Sequence, residues 1–365
     1  MNVCIAIDGI GVVGGFGTGV EAFLKAMTTG RVSPSNVVVA TPDGPIEVPV
    51  FLANTSPIEH YLSRQVLRRI DHYAQLALLG AHLALEDAGL MGSPMDRTGI
   101  LVATGWGPTG MTFSFLDTLF DNGGTCASPT RFSSSVHNAA AAYIAMILGG
   151  TGPDHTVSQF DMSVPTALLT ACLWLEAGRV DAVLLGGVDE YCALLGYCWH
   201  RFFGADGGSF MRPLLFDQQS AIPGEGSVFF LLRRGDEGPG RYATINAVDL
   251  GTLHGNNKAP LPEKAVLILG ADGHRRCGAL YPSQMGNHIG ATCYTSLYGS
   301  LPVGFGFDLA AAALLVREGR IFPPSEPFPT VGPFRFVPEI VPLGTNPVCC
   351  LKLGSGNAFA TVVLS

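Results

Sequence analysis

The chain has 365 residues, 47% of them hydrophobic and only 14% charged, with a net charge of −8 and a mean hydropathy of +0.33. At about 100–200 residues per domain, that length means two domains or one large unit. A charged fraction far below the roughly 25% of an average soluble domain puts much of the surface in a large core or against a partner. The acidic balance, with no Lys or Arg run interleaved with aromatics, excludes nucleic acid as a natural partner. The longest apolar run, Ala139–Leu148, is too short for a membrane span, which needs about 20 residues. No basic segment precedes the apolar start MNVCIAI, so no secretory signal is expected. The nine cysteines (4, 126, 172, 192, 198, 277, 293, 349 and 350) form no CxxC pair and read as free thiols of a reducing cytoplasmic compartment. None stands at zinc-ligand spacing with histidine, so no metal is expected.

In chain order, Val3–Ile7 is a short apolar run suited to a buried strand, followed by glycines and a helix in which Val20, Phe23, Leu24 and Met27 fall on one face. A second helix is predicted over Arg69–Ala88, with an alanine-rich stripe and Gly89 as its stop. Gly99–Ala103 reads as a buried strand, Val136–Leu148 and Ala167–Ala177 as apolar helices, Ala182–Leu185 and Val228–Arg233 as further strands. Arg234–Arg241 (RGDEGPGR) is the best linker. The same grammar then repeats: strand Ala265–Leu269, helix Phe307–Glu318, and strands near Pro347–Leu353 and Phe359–Leu364. Alternating strands and apolar helices predict a layered α/β fold. Helices as alanine-rich as AAAAYIAM and DLAAAALL suit a layer held between two sheets.

Gly9-Ile10-Gly11-Val12-Val13-Gly14 matches GxGxxG directly after a strand. The helix begins only near Gly19, and no acidic residue stands about 20 positions on, so the motif reads as a strained structural turn and no cofactor is expected. His137, beside Asn138, reads as a hydrogen-bonded interior residue, and Glu225, in GEG, as a holder of loop amides.

Several longer segments carry a resemblance. IDGIGVVGGFGTGVEAFLKAMTTGR resembles the opening of the β-ketoacyl synthases, condensing enzymes of the thiolase superfamily, and RRIDHYAQLALLGAHLALEDAGL resembles their following helix. RTGILVATGWG, GGTGPDHTVSQFDMSVPTALLTACLWLEAGRVDAVLLGGVDE, FDQQSAIPGEGSVFFLL and GSGNAFATVVLS are similar to later segments, and FSSSVHNAAAAYIA resembles ketosynthase-like proteins of polyene-type pathways. The resemblance implies a thiolase-like five-layered αβαβα fold built from two similar halves, residues 1–235 and 241–365, in one compact unit.

It also implies a reactive Cys at a helix N-terminus, where thiolate and acyl oxyanion are stabilised, and two histidines that activate a malonyl group. Here the nucleophile position falls on Asp161, the first histidine on Asp272 and the second on Gly299, while Leu353 stands at the gate-loop Phe. Every reactive position is replaced. The resulting expectation is a non-condensing, chain-length-factor type of subunit. It would pair with an active ketosynthase and shape the acyl tunnel in fatty acid, polyketide or polyene-type biosynthesis, with acyl carrier protein reached through the complex. Phe113, Phe115 and Phe120 are the tunnel candidates. Two alternatives remain: an acyl-transferring or condensing enzyme with a relocated nucleophile (Ser163, Cys277 or Cys293), and a homodimeric binding or scaffold protein. A broad partner surface also predicts poor solubility of the chain made alone.

Overall fold

The computed structural model describes residues 1–123, 127–203, 210–255, 257–284, 286, 288–329 and 334–365; Cys126 lies outside the described residues. The first half contributes β1 (Asn2–Gly14), the short β2 (Gly17–Thr18), a hairpin of β3 (Ser35–Val39) and β4 (Ile46–Val50), then β5 (Thr98–Ala103), β6 (Asp154–Val157), β7 (Ala182–Asp189) and β8 (Gly226–Arg234). The second contributes β9 (Ala243–Thr252), β10 (Val266–Leu269), β11 (Gly290–Thr292), a small pair β12 (Arg320–Ile321) and β13 (Val341–Pro342), and then β14 (Val348–Leu353) and β15 (Ala358–Leu364). The helices are α1 (Val20–Thr29), α2 (Arg64–Leu67), α3 (His72–Asp87), α4 (Thr109–Asn122), α5 (Pro129–Ser134), α6 (Ala139–Leu148), α7 (Ser163–Glu176), α8 (Ala193–Phe203), α9 (Arg275–Gly278) and α10 (Gly304–Glu318).

The main sheet follows the path β11-β10-β14-β15-β9-β1-β8-β7-β5-β6, with β2 paired to β1 off it and β3–β4 and β12–β13 as separate pairs. Outward from its middle, the same pairing sequence runs both ways. β1–β8 and β8–β7 are antiparallel, and β7–β5 and β5–β6 parallel; β9–β15 and β15–β14 are antiparallel, and β14–β10 and β10–β11 parallel. The halves join where β1 runs antiparallel to β9, with Ile5 opposite Ile245. Helices α7 and α10 lie in the core cluster with inward residues of both halves, among them Ile7, Val12, Ile245 and Val362. Residues 304–315 of α10 are all buried, Asp308 among them, where its carboxylate accepts from the Tyr298 hydroxyl at 2.6 Å. Helices α3 and α6 cover the outer face of the first half, and Tyr281 and the segment after β10 cover that of the second. The low charge content follows from these internal layers.

The predicted elements are found with shifted ends. Helix α7 starts earlier than expected, at Ser163, because Pro165 is harmless in a first turn whose N–H groups have no helical acceptor. Helix α3 starts at His72, where the Asp71 carboxylate caps it by accepting from the Ala74 amide at 3.0 Å. The expected linker is pinned down: the Arg233 guanidinium donates to the carbonyls of Arg234, Gly238 and Pro239 and pairs with Asp8.

The GIGVVG motif is not a turn. It is the second half of β1, and its glycines let α3 approach. A Cβ on Gly9 would lie 2.2 Å from the Ala84 carbonyl oxygen, and one on Gly11 2.1 Å from that of Gly80. Backbone meets backbone at both points, so no side chain can yield. Gly11→Val is therefore expected to lower stability by at least about 2 kcal/mol in urea denaturation of the full chain; an unchanged midpoint would remove this account of the motif.

Candidate functional site

The C-terminal ends of parallel strands converge on the N-termini of α7 and α10. Residues 104–106 follow β5, Glu190 follows β7, Asp272 lies just beyond β10, and Lys352 stands at the end of β14. In open α/β sheets this is the edge where ligands bind. Asp161 sits in a short 3-10 turn leading into α7, and Phe160 before it has φ 51°. A non-glycine residue seldom adopts that left-handed backbone, and such strain clusters at functional sites.

Asp161, Asp272 and Lys352 are all buried and meet at one point. The Lys352 ammonium lies 3.1 Å from Asp272 Oδ2 and 3.8 Å from Asp161 Oδ1, and donates to the Gly270 carbonyl at 3.1 Å. Asp272 also accepts from the Ser300 hydroxyl and the His274 amide, both at 3.3 Å. Burial opposes the charge on Asp272, but the Lys352 ammonium outweighs it and holds the carboxyl below its ordinary value. Burial dominates at Asp161 and pushes its carboxyl up, with the more distant ammonium only partly compensating. Burial likewise opposes the Lys352 charge, but the two carboxylates hold it protonated well above the usual lysine range. One cation thus serves two carboxylates, and Asp161 is the underserved one.

Beside this cluster opens a cavity of about 480 Å³. Its walls are mainly aromatic: Trp106 lies edge-on to Phe160, and His274, Trp199 and Phe203 pack against one another with all three centroid separations near 5 Å. The indole of Trp199 is fixed by donating to the Ala221 carbonyl at 3.2 Å. The Trp106 wall is held by Asp189, fully buried, which accepts from the Thr104 hydroxyl and the Gly105, Trp106 and Val303 amides. Burial outweighs those donors and pushes Asp189 up to about 6. Next to it, Glu190 accepts from the Gly110 amide at 2.7 Å, and burial pushes it up to about 7. As expected, Glu225 holds loop amides, those of Ala53 and Tyr191, and it also bonds His72 Nε2 at 2.9 Å.

Of the positions predicted from sequence, Asp161 and Asp272 come together. At the second histidine position the group that reaches the centre is one residue on: Gly299 has φ 84°, a Cβ there would lie 2.8 Å from the Phe51 ring, and the Ser300 side chain lines the cavity instead. Leu353 points into the outer core while Ser355 of the same loop faces the cavity. Ser163 is buried, its hydroxyl shared among the Thr104 and Phe160 carbonyls and the Gln159 amide, with no base beside it. Cys277 lines the cavity but burial pushes its thiol up to about 11; Cys293 is fully buried and pushed up to about 12. His288 packs on Phe334. His137 is exposed, lying against Gly107, not interior and hydrogen-bonded as expected. Phe113, Phe115 and Phe120 lie on α4, away from the cavity of the single chain; Phe120 is 82% exposed and Phe115 packs on Phe132. Sequence reading missed Lys352, although a lone cation in the apolar run VCCLKL is a visible signal.

Two outcomes follow. Lys352→Met leaves two buried carboxylates without their cation and is expected to cost about 3–5 kcal/mol near neutral pH. Asp272, held low, stabilises the fold above the ordinary carboxylate value and stops doing so as pH falls through its folded value. The gap between wild type and variant in urea midpoints therefore narrows on acidification; a gap independent of pH would count against the ion cluster. Glu190 has the opposite sign, because a raised carboxyl favours the folded state below 4.5 and loses that contribution as pH rises through about 7. Glu190→Gln is thus expected to lose less melting temperature than wild type between about pH 5 and about pH 7.5.

Comparison with known proteins agrees with the resemblance. The family described as Beta-ketoacyl synthase, N-terminal domain, matches residues 4–237. Nodulation protein E of Rhizobium sp. (strain N33) is 28% identical over 252 residues, which cover 68% of this chain and 62% of that protein. The 3-oxoacyl-[acyl-carrier-protein] synthase 2 of Synechocystis sp. is 26% identical over 195 residues, covering 51% and 46%. The chain thus matches less than two thirds of the length of these relatives. Among solved structures, the ishigamide ketosynthase/chain length factor superposes with a TM-score of 0.80 at 18% identity, covering 100% of this chain and 99% of that one. A β-ketoacyl synthase from Burkholderia phymatum superposes at 0.79 and 15%, with the same coverage. With a family match over more than half its length and a thiolase-like fold throughout, the chain belongs to the β-ketoacyl synthases.

Proposed function

We propose that this chain is a non-condensing ketosynthase-like subunit of fatty acid, polyketide or polyene-type biosynthesis, of the chain-length-factor kind. It pairs with an active ketosynthase, meets acyl carrier protein through that complex, and bounds the acyl tunnel. The observation that carries this reading is the Asp161–Lys352–Asp272 cluster where the family's Cys and first histidine would stand. A carboxyl group in either protonation state carries no acyl chain as a thioester, and a lysine held protonated abstracts no proton.

Pairing is supported by exposed apolar side chains on α4, α5, α6 and the link between the last two, where Phe113, Phe120, Phe132, Met146 and Val136 face solvent in the single chain. Apolar patches of this kind mark interaction surfaces. The tunnel assignment of Phe113, Phe115 and Phe120 belongs to the pair, where a partner would close over α4. The competing reading is acyl transfer from Cys277, the alternative nucleophile that lines the cavity. Its raised thiol and lack of a paired base argue against it.

Two experiments test the proposal. Intact-mass measurement of the isolated chain after incubation with acyl-carrier thioesters is expected to find no covalent acyl group, and a stable adduct would overturn the non-condensing reading. Co-expression of Phe115→Ala with a ketosynthase partner is expected to lengthen the product, since removing a ring from the tunnel end relieves a steric limit of about 1–3 kcal/mol. Unchanged product length for all three Phe truncations would sink the tunnel assignment.

A further inference from the structure

The cavity beside the ion cluster is electrically lopsided. Its deep end is lined by two carboxylates, Asp161 and Asp272, while the Lys352 ammonium that neutralises them sits behind, outside the lining. Asp272 is fully engaged, by Lys352, Ser300 and the His274 amide. Asp161 is less fully met: the Ser355 amide donates to it, but among the described residues no side chain is shown donating to it, and the ammonium stands off at 3.8 Å, beyond hydrogen-bonding distance. It is also more than nine-tenths buried.

A buried carboxylate with one amide donor and only a distant cation, lining an aromatic-walled cavity, is a receptor for a cation. The ring faces of Trp106, Phe160, Trp199 and Phe203 attract a positive charge through their quadrupoles and shelter the carbon chain attached to it. The cavity also carries Arg276, but that side chain is exposed, so solvent screens it from the deep end. His274 is engaged by the Gln219 amide and packs at a tilt against both Trp199 and Phe203.

We infer that this cavity binds a small apolar molecule bearing a primary ammonium head, with the head donating to Asp161 and the carbon chain held among the tryptophan and phenylalanine rings. The inference does not depend on which protein pairs with the chain or on how a tunnel is bounded. It concerns a ligand class that the replaced residues created: a thiol and imidazoles in these places would offer no carboxylate to an ammonium group.

The chain carries its own reporter. Of its three tryptophans, Trp106 and Trp199 line the cavity, and Trp174 lies elsewhere beneath the Arg179 guanidinium. The full chain is titrated with n-hexylammonium, n-hexanol and n-hexanoate at constant ionic strength, and intrinsic fluorescence is followed. Hexylammonium is expected to saturate the signal and to bind about tenfold or more tighter than hexanol, as one buried charge-assisted hydrogen bond implies, with hexanoate weakest. In Asp161→Asn the ammonium and alcohol should bind about equally, with hexanol itself little changed, because the walls are intact. Equal or tighter binding of hexanol or hexanoate by the unmodified chain would overturn the inference. So would the absence of saturable binding by all three, or an ammonium preference that survives Asp161→Asn. The ligand series on the unmodified chain decides the matter even where the variant does not fold.

Discussion

A single buried ammonium, that of Lys352, holds the centre of this molecule together. It draws in Asp161 from the turn before α7, Asp272 from the loop after β10, and the Gly270 carbonyl beneath them. The first carboxylate belongs to one half of the fold and the other groups to the second, so the cluster ties the halves where the sheet does not. Burying three charges is expensive, and their mutual attraction offsets the cost only when the remaining lone pairs are met. At Asp272 they are, by Ser300 and the His274 amide; Asp161 has only the Ser355 amide and an ammonium at 3.8 Å. This imbalance shapes the chemistry of the cavity. It leaves the less fully met carboxylate, Asp161, in the lining of a largely apolar space.

The position of the cluster follows from topology. Each half presents two parallel strands, β5 with β7 and β10 with β14, whose C-terminal ends deliver Trp106, Glu190, Asp272 and Lys352 to the same rim. Helices α7 and α10 begin at that rim and run back between the halves. Such depth is possible because glycines allow backbones to touch: Gly9 and Gly11 admit α3 against β1, and Gly224 and Gly299 lie against each other where the turns cross. Asp189 then fixes the wall by collecting amides from the loop after β5 and from the start of α10. Its upward shift records how dry that junction is.

Much of this was legible in the sequence because it rests on burial pattern. Apolar runs such as Val228–Arg233 and alanine-rich segments such as Phe307–Glu318 announce strands and an internal helix by composition alone. Asp161 and Asp272, singled out through the resemblance, stand far apart in sequence and meet at Lys352. What failed was whatever depends on neighbours distant in sequence. GIGVVG read as a turn because glycine's usual role is to turn, whereas here it clears space for a helix more than 60 residues away. Beside Gly299 it is Ser300 whose side chain lines the cavity and bonds Asp272, since one residue of register decides which side chain reaches the centre. Lys352 escaped because a cation in a strand looks like an edge residue until its two carboxylates are placed around it.

The open cavity constrains how the replacements are understood. A site that had lost its chemistry and gained nothing would be most stable filled with apolar side chains, because an empty cavity and a buried ion cluster both cost stability. Here both persist, with aromatic walls kept in place by Trp199 bonding Ala221 and by the Asp189 junction. The cavity is therefore held open by interactions that do not involve Lys352, and its charge is set by interactions that do. Shape and charge are separable in this molecule. A partner's acyl chain would depend on the first, and a ligand with a cationic head on the second.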